Sequence, residues 1–136
     1  KEIVQLFIDN KRAKDLVLFA CTSGYPITFK DVCLLEISRI QDSYGKYIKA
    51  IGFSGHHLGI AVDVSAYTLG ASYIERHYTL DRTWKGTDHA ASLEPDGIRK
   101  LTRNLNAVYE ALSYKKVEIL PIEEIQRNKL KNKNIN

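Results

Sequence analysis

Short runs rich in apolar and β-forming residues occur in three places along this chain, at residues 16–21, about 48–54 and 72–79. Each run is followed by a loop and then by apolar residues spaced three or four positions apart. Such runs alternating with amphipathic helical segments are typical of parallel strands joined by crossover helices. The pattern therefore predicts an α/β fold with three strand-helix units.

The helical spacings predict where the helices lie. A helix leads into the first strand, with its apolar residues at Ile3, Val4, Phe7 and Ile8. The first crossover helix begins at Asp31 and ends near Gly45, because glycine commonly follows the last helical residue. The second covers about residues 59–69 and stops at Gly70, and the residues expected to face the sheet are Ala61, Val64 and Thr68.

The most regular helical pattern begins at Pro95. Its apolar residues are Ile98, Leu101, Leu105, Val108 and Leu112. Beyond Tyr114 this pattern gives way to a charged segment rich in lysine and asparagine. We therefore divide the chain into a folded domain, residues 1–114, and a charged tail or linker, residues 115–136.

The distribution of charge argues against nucleic-acid binding. The formal net charge is +4, and residues 115–136 hold six basic and three acidic side chains, so most of the excess lies in the tail. The body lacks the basic stripe with interleaved aromatic residues that backbone phosphates require.

No apolar run reaches the roughly 18 to 20 residues of a membrane span, and no signal segment opens the chain. We expect a cytoplasmic protein whose cysteines, Cys21 and Cys33, are reduced core residues.

Polar residues occur where the predicted strands end, which is where functional groups gather in parallel α/β folds. Ser54 and His56 follow the second strand, and Glu75 and His77 lie in the third. Side chains alternate along a strand, so Glu75 and His77 share one face. Two neutral imidazoles on neighbouring strand ends could bind one metal ion, with Glu75 orienting a ligand.

Other interpretations of these residues remain open. His56 could be an ordinary loop histidine and His77 a hydrogen-bonded core residue, because their separation matches no metal-binding motif. Ser54 could cap the following helix. Residues 52–56 lack the final glycine of a nucleophile elbow, so we do not expect a serine hydrolase. The polar loop at residues 84–89 is either a substrate-covering loop or a solvated connection.

Four segments together resemble the N-acetylneuraminate (sialic acid) synthase family. They are Cys-Thr-Ser-Gly-Tyr-Pro at 21–26, Gly-Phe-Ser-Gly-His at 52–56, Ile-Glu-Arg-His at 74–77 and Thr-Leu-Asp-Arg-Thr-Trp-Lys-Gly-Thr-Asp-His-Ala-Ala-Ser-Leu-Glu-Pro at 79–95. The resemblance extends to about Leu130 and is nearest to the animal-type synthases. It implies a TIM (β/α)8 barrel of which this chain supplies the C-terminal three units, with residues 1–114 as a partial barrel.

The resemblance also implies an activity and roles for particular residues. The family condenses phosphoenolpyruvate with N-acetylmannosamine or its 6-phosphate, uses Mn or Mg, and releases phosphate. By position, His56 and His77 are the expected metal ligands, and Glu75 lies beside the metal as the third catalytic residue. The expected substrate-binding residues are Ser23 and Ser54 for phosphoenolpyruvate, and Tyr25 and Asp88 for the sugar. The ion would polarise the sugar aldehyde and activate the attacking water.

The chain departs from the family pattern in two respects. Some relatives have asparagine where Ser23 stands. A complete barrel needs about 250 residues, whereas this chain has 136. The tail is expected to lead toward a missing antifreeze-protein-like domain, and exposed sheet edges favour a homo-oligomer. The chain alone is expected to be inactive.

Two further hypotheses for the function are a synthase for legionaminic or pseudaminic acid and a non-catalytic module derived from a barrel.

Overall fold

The computed structural model describes residues 1–131 and contains a parallel three-stranded sheet. The strands are β1 (Val17–Cys21), β2 (Ala50–Gly55) and β3 (Tyr73–Arg76), in that order across the sheet. Ala20 is in register with Phe53, and Ser54 with Glu75. The three predicted strands are all present and parallel, which confirms the predicted fold class.

Helices precede and separate these strands. They are α1 (Glu2–Asp9), α2 (Glu36–Tyr44), α3 (Ala61–Thr68), α4 (Pro95–Ala111) and α5 (Pro121–Lys131). Three short 3-10 helices lie in the connections, at Ala13–Asp15, Phe29–Val32 and His89–Ala91. None of the helices within residues 1–131 is long and apolar enough to span a membrane.

The hydrophobic core lies between the sheet and the helices that cover one of its faces. Ile37 of α2 and Ala66 of α3 are fully buried there, and Phe53 of β2 is almost fully buried. On the opposite face, Phe19 is 40% exposed and Tyr73 is 41% exposed. The alternation of side chains along each strand thus separates a packed face from an open face, and the candidate site lies at the C-terminal end of the open face.

Three local predictions differ from the structure. The helix expected from Asp31 is divided, because Cys33 adopts a left-handed backbone conformation (φ 51°) between the 3-10 helix and α2. The prediction that Cys21 and Cys33 are core residues is wrong, since both are free and exposed. Helix α3 buries Asp63 and Ala66, whereas Thr68 is exposed.

The predicted tail contains a helix that the sequence interpretation did not identify. Helix α5 begins with Pro121, has glutamates in its first turn and has lysines in its last turn, which are ordinary signals of helix ends. Its apolar residues Ile122 and Ile125 are 70% and 56% exposed. Residues 132–136, the end of the predicted tail, lie outside the described residues.

Candidate active site

Ser54 and Glu75 are joined across the ends of β2 and β3. The two residues are register partners, and the Ser54 hydroxyl donates a hydrogen bond of 2.6 Å to Oε1 of Glu75. Ser54 is buried and Glu75 is exposed on the open face. No side chain caps α3, so the alternative role of Ser54 as a helix cap is wrong. The hydroxyl instead orients a carboxylate at the strand ends.

The rings of His56 and His77 meet just beyond these strand ends. Their centroids are 5.2 Å apart. His56 is only 3% exposed, and its Nδ1 lies 2.8 Å from the carbonyl oxygen of Thr22. Because a carbonyl can only accept, Nδ1 carries the proton and Nε2 keeps its lone pair. His56 is therefore oriented by the backbone of the β1 loop and has one nitrogen available for a ligand.

Tyr25 forms the third side of this aromatic cluster. Its ring centroid lies 4.5 Å from that of His56 and 5.6 Å from that of His77, the latter in an edge-on arrangement. The amide of Ile27 donates to the His56 carbonyl at 3.1 Å, which ties the loop after β1 to the loop after β2. Ser23 is exposed in the same loop, and its side chain has no hydrogen-bond partner among residues 1–131.

Asp88 approaches the cluster from the long loop after β3. Its Oδ2 lies 3.9 Å from Nδ1 of His77, beyond hydrogen-bond distance. The base of the loop is held by the Leu93 amide, which donates to the His77 carbonyl at 2.8 Å. Six of the seven predicted residues thus fall into two groups at the strand ends, the Ser54–Glu75 pair and the histidine pair with Tyr25 and Asp88, whereas Ser23 is adjacent in sequence only.

The outer part of this loop is ordered by its own polar groups. The Thr83 hydroxyl and then the Thr83 amide donate to Asp81, and these bonds hold the pKa of that carboxyl below its ordinary value. The Thr79 hydroxyl is 2.9 Å from Nδ1 of His89, and the Trp84 ring meets the His89 ring edge-on. Lys85 and Trp84 remain exposed, so the loop tip is open to solvent.

A buried polar network lies directly behind the site on the packed face, and sequence reasoning missed it. It consists of His57, Asp63 and Arg76, whose side chains are 0%, 0% and 2% exposed. One signal was available: alternation places Arg76 on the same face as the apolar Ile74, where a charged side chain requires a buried partner. The identity of that partner depends on how α3 packs.

The cluster of Tyr25, His56 and His77 contains few side chains that could bind a metal ion. Among residues 1–131, no group of three or more His, Cys, Asp or Glu side chains is arranged to hold a metal ion. The cluster offers two imidazoles, with the Glu75 carboxylate on the same end of the sheet. Any cation held here by these residues would need its remaining ligands from water, substrate or other parts of the protein.

Comparisons with known proteins identify the family. A family model described as "NeuB family" matches residues 1–117. The N-acetylneuraminate-9-phosphate synthase of Homo sapiens is 46% identical over 110 residues, which are 81% of this chain and 30% of that protein. The Drosophila melanogaster protein of the same name is 41% identical over 102 residues, covering 75% of this chain and 27% of that protein.

More distant relatives have related names. The N,N'-diacetyllegionaminic acid synthase of Legionella pneumophila is 35% identical over 104 residues, covering 76% of this chain and 28% of that protein. The crystal structure of an N-acetylneuraminic acid (sialic acid) synthetase from Leptospira borgpetersenii, in complex with citrate, matches with a TM-score of 0.70 and 32% identity. This structural match covers 98% of this chain and 45% of the Leptospira synthetase chain.

This chain thus spans 30% or less of the length of the synthases named above, apart from the crystal structure. The region matched by the family model contains all three strands, the histidine pair and the whole of α4. The resemblance inferred from the four sequence segments is confirmed, and the chain belongs to the NeuB family.

Proposed function

We propose that the protein carrying this chain is a sialic acid synthase. It condenses phosphoenolpyruvate with N-acetylmannosamine or its 6-phosphate, gives N-acetylneuraminate or its 9-phosphate, and releases phosphate. The observation that carries this proposal is the identity of 46% to an N-acetylneuraminate-9-phosphate synthase over most of the chain. The legionaminic acid synthase is more distant at 35%, which favours the N-acetylmannosamine-type acceptor.

The geometry of the histidine pair supports a divalent ion, Mn or Mg, as cofactor. An imidazole nitrogen binds a transition metal at about 2.1 Å, so two rings on one ion have centroids roughly 4.5 to 6 Å apart. The observed separation of 5.2 Å lies within this range. The available Nε2 of His56 suits the same role, and Glu75 lies at the same end of the sheet. When bound, the ion would act as a Lewis acid toward the sugar aldehyde and lower the pKa of a bound water.

The other residues in the proposal bind and orient substrates. Ser54, whose hydroxyl donates to Glu75 in this structure, would turn that hydroxyl toward phosphoenolpyruvate on binding, with Ser23 in the β1 loop as a second donor. Tyr25 and Asp88 border the histidine pair on two sides, where the acceptor sugar would lie. The remaining phosphate-binding groups would come from parts of the synthase outside these residues.

The proposal is tested by phosphate release from phosphoenolpyruvate and N-acetylmannosamine, or its 6-phosphate, catalysed by the intact protein. Turnover should require added Mn²⁺ or Mg²⁺. His77→Ala should reduce it by more than the roughly 10- to 100-fold that loss of an outer partner of a metal ligand costs. Arg99→Lys is the control, because Arg99 makes an exposed ion pair with Asp96 on α4, outside the loops that carry the candidate site residues. Undiminished turnover in His77→Ala would contradict the proposal.

A further inference from the structure

Arg76 lies between two site residues, Glu75 and His77, but its side chain points to the packed face of the sheet. The guanidinium is 2% exposed and is paired with Asp63 of α3, which is fully buried. Nη1 of Arg76 donates to Oδ2 of Asp63 at 2.5 Å and to the Gly59 carbonyl at 2.8 Å. One buried cation therefore joins β3, α3 and the connection between β2 and α3.

The other nitrogen of Arg76 reaches segments that carry site residues. Nη2 donates to the His57 carbonyl at 2.8 Å and to the Ala91 carbonyl at 3.2 Å. His57 immediately follows His56 in the chain. Ala91 belongs to the 3-10 helix that begins directly after Asp88, and its amide donates to the Asp88 carbonyl at 3.1 Å. The planar guanidinium thus sets the spacing between the backbones that present His56, His77 and Asp88.

The energetics of this network favour a geometric role over simple stabilisation. Within residues 1–131, three buried polar atoms have no hydrogen-bond partner: Nδ1 of His57, Oδ1 of Asp63 and Nε of Arg76. Unpaired buried polar atoms destabilise a fold, and a buried ion pair is often no more stabilising than apolar side chains of similar volume. An apolar pair could therefore replace the ion pair itself, but it would leave the three carbonyl groups without a donor and could not hold them in a defined arrangement.

We propose that Arg76, held by Asp63, is a positioning residue for the histidine pair: it fixes the loops after β2 and β3 so that His56 and His77 converge. The inference rests on the proposed function, because convergence on a divalent ion is what the arrangement would serve. Lysine cannot replace the guanidinium here, since a single ammonium lacks the planar fork that reaches Asp63 and the three carbonyls at once.

The test measures Mn²⁺ affinity of the intact, metal-freed protein, by electron paramagnetic resonance of free Mn²⁺, together with thermal unfolding. The double variant Asp63→Leu/Arg76→Met removes both buried charges together, and because three carbonyls then lose their donor it should unfold at a lower temperature than the parent while remaining folded in the assay. It should bind Mn²⁺ about 10- to 100-fold more weakly, as is typical when an outer partner of a metal site is lost. Arg76→Lys should also weaken binding and is measured in parallel in case the double variant does not fold.

Arg99→Lys is the matched control, because Arg99 makes an exposed ion pair with Asp96 on α4 and should leave the affinity unchanged. Parental Mn²⁺ affinity in folded Arg76→Lys or in the folded double variant would overturn this inference alone. A parent protein that does not bind Mn²⁺ would instead contradict the proposed metal site. The two failures are therefore distinguishable.

Discussion

The ring of His56 is oriented by the backbone of a different strand loop. Its Nδ1 contacts the carbonyl of Thr22, which lies 34 positions earlier in the chain. A backbone acceptor fixes both the ring plane and the tautomer without using a second ionisable side chain. At the scale of single residues, this contact fixes the orientation of a loop histidine and leaves its Nε2 lone pair available for a ligand.

This contact makes a prediction about the metal-free protein in alkaline buffer. His56 should be present as the tautomer protonated at Nδ1, because the Thr22 carbonyl can only accept a hydrogen bond. Long-range ¹H–¹⁵N correlation spectra of the imidazole nitrogens report the tautomer directly, and His56→Gln identifies the signals of this ring. Protonation at Nε2 would contradict the observed arrangement and remove the basis for His56 as a ligand.

Much of the site at this scale was predictable from alternation along the strands. Ser54, Glu75, His56 and His77 lie at one end of the sheet as the two-residue period requires. The partners of these residues were not predictable in the same way. The register of β2 against β3, which places Ser54 opposite Glu75, depends on how the strands pair and not on either strand alone.

At the scale of elements, α3 illustrates how a short helix misleads a sequence interpretation. The sequence predicted that Ala61, Val64 and Thr68 face the sheet, whereas the structure buries Asp63 and Ala66. The helix contains many small residues and a buried aspartate, so its apolar period is weak. Its orientation is instead set by the ion pair between Asp63 and Arg76 and by contact of Ala66 with the core.

Enlarging side chains on α3 tests which face is buried. Ala66→Leu should destabilise the protein by about 1 to 3 kcal/mol, because extra methylene groups in a fully packed position force neighbouring atoms apart. Thr68→Leu, two residues further along and on the exposed face, should change the free energy of unfolding by less than about 0.5 kcal/mol. Urea denaturation monitors both variants, and a larger loss for Thr68→Leu would favour the face predicted from sequence.

At the scale of the whole molecule, the sheet of residues 1–131 is open. Within this range the outer edges of β1 and β3 have no strand partner, and the face opposite the helices exposes aromatic side chains such as Phe19 and Tyr73. Unpaired edges and exposed apolar faces promote association with other strands. The three units therefore carry surfaces that further barrel strands, or other copies, would cover.

A polypeptide of these 136 residues is expected to self-associate and to show no synthase turnover. The open edges supply the contacts, and the site lacks the groups that the remaining strands of a synthase would provide. Light scattering coupled to size exclusion measures the association, and phosphate release measures turnover. A monodisperse monomer, or turnover by this polypeptide alone, would contradict the expectation, and the intact protein serves as the reference.

The sequence by itself determined the three strand-helix units, the family and the strand ends at which polar residues gather. These follow from local periods and from ordered motifs, both of which are properties of neighbouring residues. Only the tertiary structure decided that Thr22 orients His56, that Asp63 pairs with Arg76 and that Cys33 is exposed. Such contacts join residues distant in sequence, and they arise from strand register and helix packing, which no local pattern encodes.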